Sequence, residues 1–170
     1  MFEDIQPPPA EPVTLEDIKL FLRIDHAEED NLLLDLIRSA REQVERRAGV
    51  VMIARDVGVT LPSCGLQVRL PMSPVSDLVS VTQDGRDIPA QLDRRRDPAV
   101  LTLASGVDGF LHIVVRAGFG PDPQDVPVPL RQAVLLLVAD AYEHRDDAPG
   151  FDRVSLRVDA LIGPYWGPRL

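Results

Sequence analysis

From Val126 to Arg145 the chain carries apolar residues almost without pause. Leu130, Ala133, Val134, Leu137, Val138, Ala141 and Tyr142 recur every three or four positions, and Leu135, Leu136 and Ala139 broaden the stripe. Pro127 and Pro129 stand ahead of it, where a helix has no use for their missing N–H groups. The spacing predicts a core helix wrapped by other elements. Its apolar run falls short of the ~20 residues a bilayer crossing needs, so no membrane span is expected.

Two earlier stretches share the helical period. Thr14 offers an N-cap with Asp17 three residues on, followed by Leu15, Ile18, Phe21 and Leu22, which predicts a short helix from about 15 to 22. The ionisable run Asp25-His26-Ala27-Glu28-Glu29-Asp30 lacks the alternating ligands and glycine of a calcium loop and reads as a helix entry, carboxylates being favoured there by the macrodipole. The helix it opens carries Leu32, Leu33, Leu36, Ile37, Ala40, Val44 and Ala48 on one side and ends at Gly49.

After Gly49 the period becomes two. Val57, Val59 and Leu61, then Leu66, Val68 and Leu70, alternate with polar or small residues as half-buried strands do. Leu78 to Gln83 meets Asp84-Gly85, a two-residue hairpin signal, and Ile88 to Leu92 returns. Leu101 to Leu103 and Phe110 to Arg116 complete a series of short antiparallel strands, and Gly118-Phe119-Gly120 with the prolines after it reads as a linker. The fold class is therefore α+β. A small helical bundle (residues 13–49 and 127–146) holds an inserted antiparallel β-domain (50–120), with a Pro-rich N-terminal arm (1–12), unable to pair as a strand, and an extended C-terminal tail (147–170) after a stop at Asp146 to Gly150. In that tail Val154, Leu156 and Val158 alternate like a strand, while Leu161, Ile162, Tyr165 and Trp166 cluster near Pro164. So much apolar surface at a terminus predicts a segment that orders in a partner's groove.

Composition narrows the function. A net charge of −9 disfavours a surface that grips phosphate backbones, which needs clustered Lys and Arg. Arg94-Arg95-Arg96 is a basic cluster flanked by Asp93 and Asp97 and reads as a solvated loop tip. The single cysteine, Cys64, excludes an intrachain disulfide, and the acidic start of the chain is not a secretory signal. His26, His112 and His144 stand in a helix entry, a strand and a helix end, with no metalloprotease, nucleophile-elbow or paired-carboxylate motif. No catalytic, cofactor-binding or metal-binding residue is assigned. A small ligand-binding or hydrolytic domain is the alternative.

Four segments in order resemble the tailed-phage head–tail connector, or adaptor, family in its branch with a β-rich insertion: Val13 to Asp25; Glu28 to Asp30 through Ala40 to Gly49; Leu70 to Val75; and Ala117 to Gly120 with Val126 to Arg145. Asp159 to Tyr165 is similar to the family's usual ending. The resemblance implies a structural protein, not an enzyme, made in a bacterial host's cytoplasm for the neck of a bacteriophage, prophage or gene transfer agent particle. It implies a ring, expected to be twelve-fold, between the portal and the head-closure (stopper) or tail proteins, with DNA passing through an axial channel without specific binding. The C-terminal segment would then dock on the portal, with Val158, Leu161, Ile162, Tyr165 and Trp166 as anchors. Charges of both signs on the long helix make Glu42, Glu45, Arg46 and Arg47 candidates for ion pairs between subunits.

Overall fold

The computed structural model describes residues 2–144 and 153–166; the stop at Asp146 to Gly150 lies outside them. Helix α1 (Leu15–Leu22) opens with the expected cap: the Thr14 hydroxyl accepts from the Asp17 N–H at 3.1 Å, and the Asp17 carboxylate accepts from the Thr14 N–H at 3.1 Å. Helix α2 (Asp30–Ala48) buries Leu33, Ile37, Ala40, Val44 and Ala48 and stops at Gly49, whose φ of 68° is the left-handed value a helix end needs. Lys19 Nζ of α1 meets Asp30 Oδ1 of α2 at 2.6 Å.

Against them lies one antiparallel sheet of six strands: β1 (Phe2–Asp4), β2 (Arg55–Arg69), β3 (Val75–Gln83), β4 (Arg86–Asp87), β5 (Ala90–Asp93) and β6 (Val100–Ala117). The order is β1-β2-β6-β3-β4, with β5 also on β6. Where short strands were expected at 57–61 and 66–70, and again at 101–103 and 110–116, two long continuous strands run instead, paired from Arg55↔Ala117 to Arg69↔Val100. Their apparent breaks in the sequence are irregularities within pairing, a register shift between Gly65 and Gln67. That shift also corrects Leu66, which is 53% exposed while Val68 is buried: an added residue flips the alternation. The Asp84-Gly85 turn is as expected, with φ of 49° and 77° and Gln83 paired to Arg86. The returning strand splits at Pro89, β4 staying on β3 and β5 moving to β6.

The N-terminal arm is also corrected. Phe2, Glu3 and Asp4 pair with Val59, Gly58 and Val57, because the prolines begin only at Pro7 and leave the first residues free to join the sheet. The segment 118–120 is pinned and is no loose linker: Ala54 donates to Gly120 O at 2.8 Å and Phe119 to Met52 O at 3.1 Å. Gly118 fits there because a Cβ would fall 2.4 Å from Ala54 Cα.

Helix α3 (Val128–Glu143) buries Leu130, Ala133, Val134 and Val138. It is not fully wrapped; Leu135, Leu136 and Leu137 are half-buried and Ala141 is exposed. The largest correction is at the C-terminus. No extended tail or strand forms over 153–166; residues Arg153–Ile162 make a helix, α4, followed by a 3-10 turn at Gly163–Tyr165. Val158 and Ile162, four apart, are fully buried in the core of α1, α2 and α3, which explains why so much apolar surface sits there. Tyr165 packs edge-on against Phe119, with ring centroids 6.3 Å apart. Two hydrophobic clusters result, one helical and one in the sheet, and they meet at Val50 to Ile53: Val50, Met52 and Ile53 enter the helical cluster and Val51 the other.

Candidate functional site

Polar groups buried at that junction form one connected array. Arg41 and Glu45 on α2 and Arg55 on β2 are 2–4% exposed. The Glu45 carboxylate accepts from Arg55 Nη1 at 3.0 Å, Arg55 Nη2 at 2.8 Å, Arg41 Nη1 at 2.8 Å and the Met52 N–H at 2.8 Å. Four donors saturate its lone pairs. The N-terminal arm completes the array: Asp4 Oδ1 takes Arg55 Nε at 2.7 Å and Glu11 Oε2 takes Arg41 Nε at 2.9 Å. Two guanidiniums thus face three carboxylates contributed by the arm and α2. Burial works to lower the Arg55 pKa, but its hydrogen bonds and attraction to Glu45 and then Asp4 outweigh it, and the net shift is upward. Burial raises the Glu11 pKa, with Arg41 opposing, so its net direction is also upward.

The sign for Glu11 follows from linkage. A raised folded-state pKa means that the folded chain takes up this proton before the unfolded chain does, so Glu11's contribution grows as pH falls through the folded value and is lost as pH rises through it. Glu11→Gln should therefore remove a stability increment that wild type gains on mild acidification. Urea midpoints of both proteins from pH 7 towards the ordinary carboxylate range check this; identical pH slopes would refute it.

The array relocates one of the expected intersubunit residues. Glu45 is wholly engaged inside its own chain, because residues 37, 41, 45 and 48 share the stripe that faces the core; that spacing was the available signal, overlooked because the residues are charged. Glu42 and Arg46 are exposed. Arg47 is half-buried, its Nη2 donating to Ser155 Oγ at 3.1 Å, with Nη1 buried, without a hydrogen bond and 3.8 Å from Asp159 Oδ1. Likewise Val158 and Ile162 belong to the interior and are not surface anchors, whereas Leu161 and Tyr165 are partly buried and Trp166 is 38% exposed.

Two surface features remain. A cleft of about 420 Å³ between the end of α2 and the sheet is lined by Arg46, Arg47, Arg69, Asp97 and Trp166. A groove of about 450 Å³ between α1 and α3 presents Leu20, Phe21, Val128 and Leu135, with Leu20 81% and Val128 63% exposed. Apolar exposure of this kind marks surfaces used in association. Arg94, Arg95 and Arg96 sit in an exposed turn, Arg94 Nη1 donating to Ser76 O at 2.8 Å. His112 Nδ1 lies 3.5 Å from Thr60 Oγ1, and His144 Nδ1 3.0 Å from Asp140 O, both at the surface. Among the described residues no group of three or more His, Cys, Asp or Glu side chains could hold a metal ion, and no helix is long and apolar enough to cross a membrane.

Comparison with known proteins gives these surfaces a context. The model of the phage gp6-like head–tail connector protein family matches residues 12–95. None of the curated proteins matches the chain. Among solved structures, a chain in the neck of an empty GTA particle computed with C6 symmetry aligns over 100% of this chain and 97% of its own, with a TM-score of 0.79 and 25% identity. A chain in the neck of the native GTA particle computed with C12 symmetry aligns over the same shares at a TM-score of 0.75 and 26% identity. A third lies in the virion of the native gene transfer agent particle, at 0.76 and 25%, again over 100% and 97%. The family match thus runs from the proline arm through α1, α2, β2 and β3 to β5, and the fold is shared end to end with neck chains: this chain is similar to the phage gp6-like head–tail connector family over its first half and to GTA neck chains throughout.

Proposed function

We propose that the protein is a structural subunit of a ring, twelve-fold, in the neck of a tailed phage or phage-like particle, joining the portal to head-closure or tail proteins around a channel for DNA. The observation that carries this reading is the end-to-end correspondence with neck chains, which cover 100% of this chain and 97% of their own length. Symmetric neck reconstructions of those similar chains support repeated copies around an axis. The role is one of connection and not of catalysis. Docking on the portal falls in this reading to Trp166 with the outer parts of Leu161 and Tyr165, since Val158 and Ile162 are occupied by the core. Cryo-electron microscopy of purified particles tests the assignment: a ring of this chain between portal and tail is expected, and particles whose neck lacks it would exclude the role.

The channel wall is passive in this proposal. A chain of net charge −9 offers too little clustered positive charge for counterion release to drive phosphate binding. No retention of duplex DNA is expected in a gel-shift assay at micromolar protein and roughly physiological salt, where the Debye length is about 8 Å. Clear retention there would require a nucleic-acid-binding surface.

A further inference from the structure

The two ends of α2 are opposite in charge, and both are exposed. At its C-terminal end Arg46 and Arg47 share the cleft with Arg69, which arrives from β2; Arg47 is held by Ser155 and Asp159 of α4, which leaves Arg46 and Arg69 facing one carboxylate, Asp97, in a chain that is acidic overall. At its N-terminal end the loop between α1 and α2 holds Asp25 and Glu28, both exposed, with Glu28 Oε2 2.9 Å from the exposed His26 Nδ1. Glu29 and Asp30 beside them are engaged within the chain, with Tyr142 and Lys19 respectively. Nineteen helical residues separate the two ends by roughly 28 Å, so they cannot neutralise one another within a chain.

The helix macrodipole accounts for carboxylates at the start of α2 and arginines at its end. It does not account for Arg69, which belongs to the sheet. The exposed guanidiniums of Arg46 and Arg69 give the cleft donors to spare and a charge that calls for carboxylates. Rings require two different, complementary patches on each copy, placed so that the contact repeats head to tail. A positive cleft at one end of a rigid helix and an acidic loop at the other meet that requirement.

We propose that the arginine cleft of Arg46, Arg47 and Arg69 receives the acidic loop of a second copy, with Asp25 and Glu28 as the entering carboxylates. The inference rests on the ring reading above and assigns its contact. Charge pairs of this kind set register and exclude wrong partners, which a closed ring of identical subunits needs.

The test exploits the asymmetry of the contact. One full-length variant carries Arg46→Glu and Arg69→Glu, leaving Arg47 to its place beside α4; another carries Asp25→Arg and Glu28→Arg. All four positions are exposed, so both variants should melt with wild type. Each alone sets like charges against each other and should fail to form rings in native mass spectrometry under conditions where wild type does. Mixed in equal amounts they regain complementarity at both junctions, and rings of strictly alternating composition should return. Folded single variants that still close rings, or a mixture that stays dissociated, would overturn the contact while leaving the ring standing. Wild type that forms no ring, either free or in particles, would instead overturn the ring reading and this contact with it.

Discussion

Removing residues 153–170 is expected to unfold the helical half of the protein and not merely to detach it from a partner. Helix α4 supplies Val158 and Ile162 to a core cluster that includes Leu33, Ile37 and Val44 of α2 and Leu130, Val134 and Val138 of α3. Truncation opens that cluster to water along the length of α4. A single Ile→Ala change at a fully buried site costs about 2–5 kcal/mol, and whole domains are stable by only about 5–15 kcal/mol. Ile162→Ala alone should thus lower the urea midpoint markedly, and the truncation should abolish a cooperative transition in circular dichroism. A truncated chain that melts with wild type would show that α4 is an appendage. A deletion of this kind would therefore report on folding, so the proposed portal docking has to be tested by substitution at exposed Trp166.

The second large effect is expected at Glu45. Replacing it with alanine leaves Arg41 and Arg55 buried side by side and the Met52 N–H without its acceptor. Breaking a buried ion pair by removing one partner costs about 3–5 kcal/mol; Arg55 keeps Asp4 and Arg41 keeps Glu11, but two buried cations are left adjacent with three of their donors unmet. Arg55→Met should cost less: Glu45 keeps Arg41, and Asp4, whose side chain is 32% exposed, can turn to water. Chemical denaturation of both variants checks the order. If Glu45→Ala costs less than about 1 kcal/mol, the array is hydrated and the argument fails.

What could be read from the residues alone follows from how local each signal is. The Thr14 and Asp17 cap, the stripe of α2, its stop at Gly49 and the Asp84-Gly85 hairpin are all decided within a few residues, and each stands in the structure where the pattern puts it. The continuity of β2 and β6 is not local, since Pro62 and the glycines around it look like breaks until the strands are paired over their length. Helix α4 was misread because Val154, Leu156 and Val158 fit period two as well as Val154, Val158, Leu161 and Ile162 fit period 3.6; only packing against α3 chooses between them. Glu45 shows the same limit at a candidate site. Its charge argued for the surface, and the guanidinium that makes burial tolerable comes from Arg55, beyond the helix.

The outer edge of β2 carries a further consequence. β1 covers it only at Val57 to Val59, and no other strand pairs with that edge among the described residues. A bare strand edge invites the same edge of another molecule, and growth of that kind has no reason to stop. Pro62 removes a donor along the open stretch, the irregularity at Gly65 to Gln67 spoils its straightness, and exposed Arg69 places charge at its end. Open-ended fibre formation is the hazard of such an edge, and these three residue-level defects each make a second molecule's strand a poorer fit to it.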